Sequence, residues 1–422
     1  MALQKKKEKA LIIGVILPGI NRETVYENLD ELEMLANTAG ASIIGRETQR
    51  LVKINPSFFI GNGKAKQLIG HAKELGANMI VFDDELTPAQ IKNFYNLAKN
   101  IKIIDRSGII LDIFKKHART KEAKTQVELA YLQYLLPRLT RQWTHLERQM
   151  GGIGTRAGMG ETQIEIDRRI IRNKITRLNK ELTKIEKERS LQSVNRKTKF
   201  RVALVGYTNA GKSTLFKALS KSEVYIKDQL FATLDTTIRK VDLDISHSIL
   251  LSDTVGFIRK LPHDLVASFN STLKEVTEAD LILKVFDISS PQMAKHVDII
   301  DKVLDDLGAS KIDNLIILNK VDLLKDLKLI KEKSLRFPNS ITISALDHLQ
   351  LYELKNAILN RIKKNYRTIE LIFSYDQGGM INYAEEGVDI ISRDYRPDGI
   401  KIKIRANPKK IENILRLNPK IV

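Results

Sequence analysis

The chain has 422 residues, 43% of them hydrophobic, which is enough for two or three domains with separate cores. It has no cysteine, so disulfides and thiolate metal sites are excluded, and no apolar run approaches the ~20 residues of a membrane span. These features predict a soluble protein and fit a reducing cytosol. The net charge is +19, and residues 1–200 hold most of the excess, with 36 basic and 22 acidic side chains. That asymmetry favours a phosphate-rich partner such as RNA, although a well-solvated surface can have the same composition.

Residues 1–110 alternate short apolar runs with amphipathic stretches, which predicts a small, mostly parallel α/β domain. The strand patterns cover 10–17, 41–46, 78–82 and 101–104, and the helical patterns cover 23–39, 64–75 and 88–99. Three acidic residues, 83–85, follow the third strand. We expect them to favour the start of the next helix rather than to bind a metal.

Residues 111–197 are predicted to form a helical hairpin. Helical patterns cover about 109–149 and 161–194, and a short connection makes such helices antiparallel. The second helix is dense in charges of both signs. This pattern fits a solvated face with i,i+4 ion pairs as well as it fits contact with RNA.

The connection of this hairpin contains five glycines in ten residues, together with one arginine. The missing Cβ atoms favour a tip that orders against a partner, with the arginine on a phosphate or a base. A plain linker is the other interpretation. The candidate RNA-binding residues are Gly151, Gly152, Gly154, Thr155, Arg156, Gly158 and Gly160.

A glycine-rich loop follows the apolar run 200–205 and precedes a helical stretch. Its pattern, G-x-x-x-x-G-K-S, predicts a phosphate loop in which backbone N–H groups and a helix N-terminus hold nucleotide phosphates. The lysine would reach the β- and γ-phosphates, and the serine hydroxyl would hold Mg²⁺. The loop consists of Gly206, Tyr207, Thr208, Asn209, Ala210, Gly211, Lys212 and Ser213.

Two further loops follow in the order of a guanine-nucleotide switch domain. The first, in which a threonine hydroxyl can reach Mg²⁺ while the γ-phosphate is present, consists of Phe231, Ala232, Thr233, Leu234 and Asp235. The second follows a predicted strand and consists of Asp253, Thr254, Val255 and Gly256. Its aspartate would hold Mg²⁺ through water, and its glycine N–H can approach the γ-phosphate closely.

Two more loops are predicted to select guanine. One consists of Asn319, Lys320, Val321 and Asp322, and the other, whose backbone would read the guanine O6, consists of Ser344, Ala345 and Leu346. The Asp322 carboxylate would accept hydrogen bonds from the guanine N1–H and 2-amino groups, which adenine cannot supply. Together with the phosphate loop, these motifs predict a domain at 198–364 that binds GTP and GDP and hydrolyses GTP.

The position after Gly256 is Phe257, where a familiar small GTPase has the glutamine that orients the attacking water. A phenyl ring cannot position water by hydrogen bonding, so we expect slow intrinsic hydrolysis and assign no catalytic residue. In several GTPases without this glutamine, an asparagine in the phosphate loop helps to bind K⁺. Asn209 is the candidate for that role, and the alternative is that it only caps the loop.

Residues 365–422 are predicted to form a small α+β domain with the order β-α-β-β-α. The strand patterns cover 368–374, 388–392 and 399–404, and the helical patterns cover 380–386 and 407–417. No motif with recognisable chemistry occurs there, so packing or docking is the expected role. The predicted fold class of the whole chain is α/β.

The chain resembles the HflX family of translation-associated GTPases over nearly its whole length. Beyond the nucleotide motifs, the resemblance is carried by segments 59–64, 82–90, 105–106, 110–114, 126–130, 151–156, 160–163 and 253–258. It implies an N-terminal α/β subdomain, a long helical hairpin and a Ras-like domain with a doubly wound sheet. It also assigns Thr233 as the Mg²⁺-linked threonine.

The resemblance further implies binding to the large ribosomal subunit, separation of stalled or idle 70S ribosomes, and GTP hydrolysis stimulated by ribosomes. The 151–160 loop would then reach rRNA near the peptidyl-transferase centre. In this chain the loop has one residue more than in many members and lacks their proline, which should loosen it. We expect a monomer that associates with the ribosome. An RNA-binding ribosome-assembly factor that uses GTP mainly as a structural switch is the alternative.

Overall fold

A computed structural model describes residues 8–139, 163–193, 199–220, 230–231, 235–260, 270–364, 366–375, 378–385, 388–416 and 420–421. The chain forms two compact units. The first contains Met1–Gln192, Lys227–Asp235 and Val255–Leu273, and the second contains Ser193–Ile226, Thr236–Thr254 and Lys274–Val422. Two segments of the predicted GTPase domain therefore belong to the first unit. The division into four domains stays a prediction.

The first unit is built on a four-stranded parallel sheet. Its strands are β1 (Lys9–Ile16), β2 (Ser42–Arg50), β3 (Met79–Phe82) and β4 (Lys102–Asp105), in the order β2-β1-β3-β4. Its helices are α1 (Arg22–Ala39), α2 (Asn62–Glu74), α3 (Pro88–Leu97), α4 (Arg106–His117), α5 (Lys121–Leu135) and α6 (Gln163–Ser193). Separate clusters of buried apolar side chains cover the two faces of the sheet, which explains the unbroken apolar run of β1. The predicted parallel α/β architecture is confirmed.

Local sequence signals explain where the helices of this unit begin and end. Asn21 caps α1 by accepting a hydrogen bond from the N–H of Glu23, and Gly40 ends the helix with φ = 94°, a left-handed conformation that favours glycine. Thr87 and Gln90 form a capping box at the start of α3. These polar and glycine residues fix the helix ends, while the buried faces fix the packing.

The single long helix predicted from about 109 to 149 is wrong. α4 ends at His117, and a new helix begins after Thr120, whose hydroxyl oxygen accepts the N–H of Ala123 at 3.1 Å. α5 is followed by a 3₁₀ turn, Leu136–Arg138, that contains a proline. Residues 140–162, including the predicted glycine-rich tip, lie outside the described part of the chain.

α5 and α6 pack antiparallel, as predicted. Lys121 at the start of α5 pairs with Glu181 at 2.9 Å, and Glu128, two turns later, pairs with Lys174, two turns earlier in α6, at 2.5 Å. The seam between the helices is formed by Leu129, Leu132, Leu135, Leu139, Ile171 and Leu178. Part of the charge on α6 is therefore used in ion pairs with α5.

The second unit contains a six-stranded, doubly wound sheet. Its strands are β5 (Phe200–Gly206), β6 (Thr237–Asp242), β7 (Ser248–Asp253), β8 (Leu281–Asp287), β9 (Asn314–Asn319) and β10 (Ile341–Thr342), in the order β10-β9-β8-β5-β7-β6. Only β6 is antiparallel to its neighbour. The helices are α7 (Lys212–Ser220), α8 (Asn270–Thr277), α9 (Met293–Asp306), α10 (Leu327–Leu335) and α11 (Leu351–Lys363). The carboxyl ends of the parallel strands share one edge of the sheet, where open α/β sheets bind ligands.

A second sheet of this unit is formed by the end of the chain. Its strands are β11 (Arg367–Phe373), β12 (Asp389–Arg396), β13 (Gly399–Ala406) and β14 (Lys420–Ile421), in the antiparallel order β12-β13-β11-β14. Its helices are α12 (Gly378–Glu385) and α13 (Pro408–Leu415). The predicted order β-α-β-β-α is confirmed, with β14 added at its end. In the described part of the chain, no helix has both the length and the apolar composition of a membrane span.

Candidate nucleotide-binding site

The predicted phosphate loop connects the central strand β5 to the N-terminus of α7, as expected. A Cβ atom at Gly206 would overlap with the carbonyl oxygen of Val285, and one at Gly211 would overlap with the Nδ2 atom of Asn319. Gly211 also has φ = +89°. Both positions therefore require glycine because of close packing, and Gly211 requires it for its backbone conformation as well.

Lys212, the first residue of α7, is buried in this loop. Its Nζ atom donates hydrogen bonds to the carbonyl oxygens of Gly206 at 3.0 Å and Tyr207 at 2.9 Å. Burial lowers the pKa of Lys212 to about 8, and the nearby charge of Asp253 only partly opposes this effect. An anion at the loop would stabilise the charged form of the lysine, which is what a phosphate-binding lysine requires.

The two residues of this unit that are predicted to act on Mg²⁺, one directly and one through water, are neighbours. The Ser213 hydroxyl donates a hydrogen bond to Asp253 Oδ2 at 2.8 Å, and Asp253 is 2% exposed at the end of β7. Among the described residues, no group of three or more histidine, aspartate or glutamate side chains is arranged to hold a metal. One hydroxyl beside one carboxylate suits a magnesium ion whose other ligands are phosphate oxygens and water.

Asn319 holds the guanine-selecting loops against the phosphate loop. Its Nδ2 atom donates to the carbonyl oxygen of Ala210 at 3.0 Å, and its Oδ1 atom accepts the N–H of Ala345 at 2.9 Å. Lys320 follows with φ = 65°, and its Nζ atom lies 2.8 Å from Asp287 Oδ2. The three motifs that the sequence predicted separately are therefore joined by one buried side chain.

Asp322, the residue predicted to bind guanine, has one carboxylate oxygen in a buried position. Its Oδ1 atom is buried and has no hydrogen-bond partner among the described residues. A buried carboxylate oxygen without a donor is costly, so a ligand that supplies N–H donors would be stabilised there. Ser344 is fully buried, and its hydroxyl oxygen accepts the N–H of Asp347 at 3.1 Å, which fixes the turn that contains the exposed Leu346.

Other predicted site residues belong to the first unit or lie outside the described residues. Phe231 and Val255 are part of its apolar core, and Phe257 is only 2% exposed. The Asp235 carboxylate accepts hydrogen bonds from the start of α5. The residues outside the description are Ala232, Thr233, Leu234, Gly151, Gly152, Gly154, Thr155, Arg156, Gly158 and Gly160.

Sequence reasoning missed a partly buried ion cluster in the first unit, formed by Glu27, Glu31, Asp83, Asp84, Arg106, Arg259 and Lys260. Arg106, which is 1% exposed, pairs with Glu31 and with Asp83, the latter at 2.5 Å. Arg259 pairs with Glu27 at 2.8 Å. The cluster therefore fixes the segment that directly follows the predicted γ-phosphate loop.

The expectation that residues 83–85 favour the start of α3 is wrong. Asp83 and Asp84 pair instead with the Lys260 ammonium at 2.6 and 2.5 Å, and Glu85 accepts a hydrogen bond from the Ser107 hydroxyl at 2.7 Å. Burial lowers the pKa of Lys260, but the attraction of both aspartates outweighs it, so the pKa is raised and the lysine stays charged. The start of α3 is capped by Thr87.

Three family models match successive parts of the chain. A model described as GTP-binding GTPase N-terminal matches residues 26–115, one described as GTP-binding GTPase Middle Region matches 117–196, and one described as 50S ribosome-binding GTPase matches 201–320. Together they match more than half of the chain. The first two matches lie mostly in the first structural unit, and the third lies mostly in the second.

Curated relatives extend the match over almost the whole chain. The GTPase HflX of Caldanaerobacter subterraneus subsp. tengcongensis is 44% identical over 403 residues, covering 95% of this chain and 91% of that protein. The GTPase HflX of Escherichia coli strain K12 is 44% identical over 358 residues, covering 84% and 83%. A solved GTP-binding protein from Sulfolobus solfataricus in complex with GDP is 25% identical and covers 84% of this chain and 98% of that one. Its TM-score of 0.42 is too low to add to the assignment.

The phosphate loop, the Asn319 links and the unpartnered Asp322 oxygen agree with these matches. The chain therefore belongs to the HflX family of GTPases, and it is a GTP-hydrolysing enzyme.

Proposed function

We propose that this GTPase binds the large ribosomal subunit and separates 70S ribosomes, and that the ribosome stimulates its GTP hydrolysis. The observation that carries the proposal is the match of residues 201–320 to a model described as 50S ribosome-binding GTPase, in a chain whose first 200 residues carry a large excess of cations. Phosphate-rich RNA is the partner that such an excess attracts. We also propose that the protein acts as a monomer and in the cytoplasm.

In this proposal the phosphates and Mg²⁺ are held by the loop after β5 and by the two switch loops. Lys212 exchanges the loop carbonyls for β- and γ-phosphate oxygens. Ser213 and Thr233 bind Mg²⁺, with Asp253 in its outer shell, and the ion, when bound, neutralises negative charge on the phosphates. The support for this assignment is the 2.8 Å hydrogen bond between Ser213 and Asp253. The Gly256 N–H would bind the γ-phosphate.

Guanine specificity is assigned to the ends of β9 and β10. Asp322 accepts the guanine N1–H and 2-amino groups, and the backbone of residues 344–346 donates to O6. Asn319 keeps these two loops in register with the phosphate loop through its hydrogen bonds to Ala210 and Ala345. The unpartnered Oδ1 atom of Asp322 supports the assignment, because a guanine base would satisfy it.

Intrinsic hydrolysis is proposed to be slow, because the buried ring of Phe257 cannot orient a water molecule. We assign to K⁺ part of the positive charge that stabilises the transition state, and Asn209 would help to bind this ion. This residue is exposed and has φ = 61°, a left-handed conformation that asparagine tolerates better than most residues. Replacing K⁺ by Na⁺ should slow the wild-type enzyme and leave an Asn209→Ala variant unaffected.

Ribosome binding is tested by sedimentation with purified large subunits in the presence of a non-hydrolysable GTP analogue or GDP. We expect co-sedimentation with the analogue and less with GDP, and light scattering should show 70S dissociation under the same conditions. An Arg156→Ala variant should lose dissociation while retaining its affinity for GTP. Binding to immature subunits without any effect on 70S ribosomes would instead support the assembly-factor alternative.

A further inference from the structure

Asp235, at the end of the first switch loop, accepts hydrogen bonds from the residues that begin helix α5. Its Oδ2 atom accepts hydrogen bonds from the backbone N–H groups of Arg119 at 2.9 Å and Thr120 at 3.3 Å, and its Oδ1 atom accepts the Thr120 hydroxyl. The Thr120 oxygen in turn accepts the N–H of Ala123 at 3.1 Å. A carboxylate at a helix N-terminus is stabilised by the helix dipole and by N–H groups that lack helical partners.

Phe231 lies four residues before Asp235, at the other end of the same loop, and it contacts the last turn of α4. Its ring is 2% exposed and packs edge-on against Phe114, with the ring centroids 4.7 Å apart. Its carbonyl oxygen lies 2.8 Å from His117 Nδ1, which must carry the hydrogen because a carbonyl only accepts. The φ of Phe231 is 55°, a conformation that costs energy in a bulky residue and persists where the surroundings impose it.

Both ends of the loop are therefore held by one short segment, residues 114–120, which we call the α4–α5 turn. This turn directly precedes α5, the first helix of the hairpin. The Thr120 hydroxyl makes two hydrogen bonds, because it caps α5 and also binds Asp235 of the loop. A displacement of α5 would act on Asp235 through two backbone N–H groups and this hydroxyl.

We infer that the α4–α5 turn positions the first switch loop for the γ-phosphate, with His117 and Thr120 as positioning residues. The inference rests on the proposed role of this loop in binding Mg²⁺ and GTP. If these contacts favour the GTP-bound loop, GTP binding must stabilise the contacts by the same free energy. The link therefore couples the position of the hairpin to the affinity for GTP.

The test compares Thr120→Ala with Thr120→Ser and with Thr87→Ala in the full-length protein. Thr87 is the matched control, since its hydroxyl oxygen caps α3 in the same unit and, among the described residues, none of its hydrogen bonds reaches Phe231 or Asp235. In Thr120→Ala, we expect the affinity for a non-hydrolysable GTP analogue to fall about fivefold, the size expected for one lost hydrogen bond to the loop at Asp235, while GDP affinity changes little. Thr120→Ser should restore the wild-type ratio, and Thr87→Ala should leave the ratio unchanged.

A second readout does not depend on catalysis. The amides of Arg119 and Thr120 donate to Asp235, so their hydrogen exchange reports the link directly. We expect slower exchange with the GTP analogue than with GDP, and loss of this difference in Asp235→Ala. His117→Ala should reduce affinity for the GTP analogue, and His117→Asn, which keeps a donor near Nδ1, should retain more of it.

Three results would overturn the inference: equal losses of GTP-analogue and GDP affinity in Thr120→Ala, the same ratio change in Thr87→Ala, or tighter binding of the analogue by Thr120→Ala. The last result would mean that the turn holds the loop away from the nucleotide. A wild-type protein that binds neither nucleotide would refute the proposed nucleotide site instead. Because no ribosomes are present, failure of ribosome binding would leave this test intact.

Discussion

Replacing Arg106 by methionine should strongly destabilise the first unit. The guanidinium is 1% exposed and holds Glu31 and Asp83 together, and its Nη1 atom also lies 3.4 Å from the carbonyl oxygen of Asn28. Methionine fills a similar volume without charge, so two buried carboxylates lose their shared partner. Removing one member of a buried ion pair costs about 3–5 kcal/mol, and the Lys260 ammonium that stays beside Asp83 compensates only part of the charge that the guanidinium neutralises.

This loss is large enough to measure by calorimetry. For a unit of this size, 1 kcal/mol corresponds to a shift of about 2–4 °C in melting temperature, so the variant should melt roughly 6–20 °C lower. The matched control is Arg46→Met, because Arg46 also bridges two carboxylates, Asp30 and Glu33, but is 40% exposed. Exposed pairs contribute about 0–1 kcal/mol, so the control should lose only a few degrees.

The stability losses of these two variants test whether burial makes the Arg106 ion pairs important. If Arg106→Met and Arg46→Met lost the same stability, burial of the ion cluster would not be what makes Arg106 important. An Arg106→Met variant more stable than the wild type would show that desolvation of the cluster exceeds its attraction, as in some buried ion networks.

Three further predictions concern the nucleotide site. Asp322→Asn should shift preference from guanine towards xanthine nucleotides, and unchanged GTP affinity in competition binding would contradict the guanine assignment. The pKa of Lys212 is about 8 in the nucleotide-free protein, and a bound phosphate favours its charged form. GDP affinity should therefore be constant well below pH 8 and fall by up to about tenfold per pH unit above it. Fluorescent-GDP titration from pH 6.5 to 9.5 measures this profile, and a flat profile would contradict the prediction. Gly211→Ala should abolish nucleotide binding, because the added Cβ meets Asn319 and the backbone has φ = +89°; retained affinity in calorimetric titration would show that the loop relaxes.

The nucleotide loops could be predicted from sequence because each is a short run with a local backbone requirement. Gly206 to Ser213 needs only a strand before it and a helix after it, and the structure has both. Asn319 was assigned to guanine from its motif, but its links to Ala210 and Ala345 join segments 109 and 26 residues away. Such distant contacts have no local sequence signal, so only the fold reveals them.

Helix boundaries and buried charges were harder to predict. The break between α4 and α5 is marked by Thr120, and a threonine N-cap is a local signal that can be read from sequence. Asp83 was expected at a helix start and Arg106 had no predicted partner, because their pairing depends on β3 and β4 being neighbours in the sheet. The link between Asp235 and Thr120 spans 115 residues and was equally hidden.

The most direct test of the central claim is GTP hydrolysis in K⁺ buffer with and without purified large ribosomal subunits. A ribosome-coupled switch predicts slow turnover alone and strong stimulation by the subunits, because Phe257 stands where a familiar small GTPase has its water-orienting glutamine. A rate unchanged by large subunits would contradict ribosome-stimulated hydrolysis and would point to another RNA partner or to a nucleotide-stabilised binding protein.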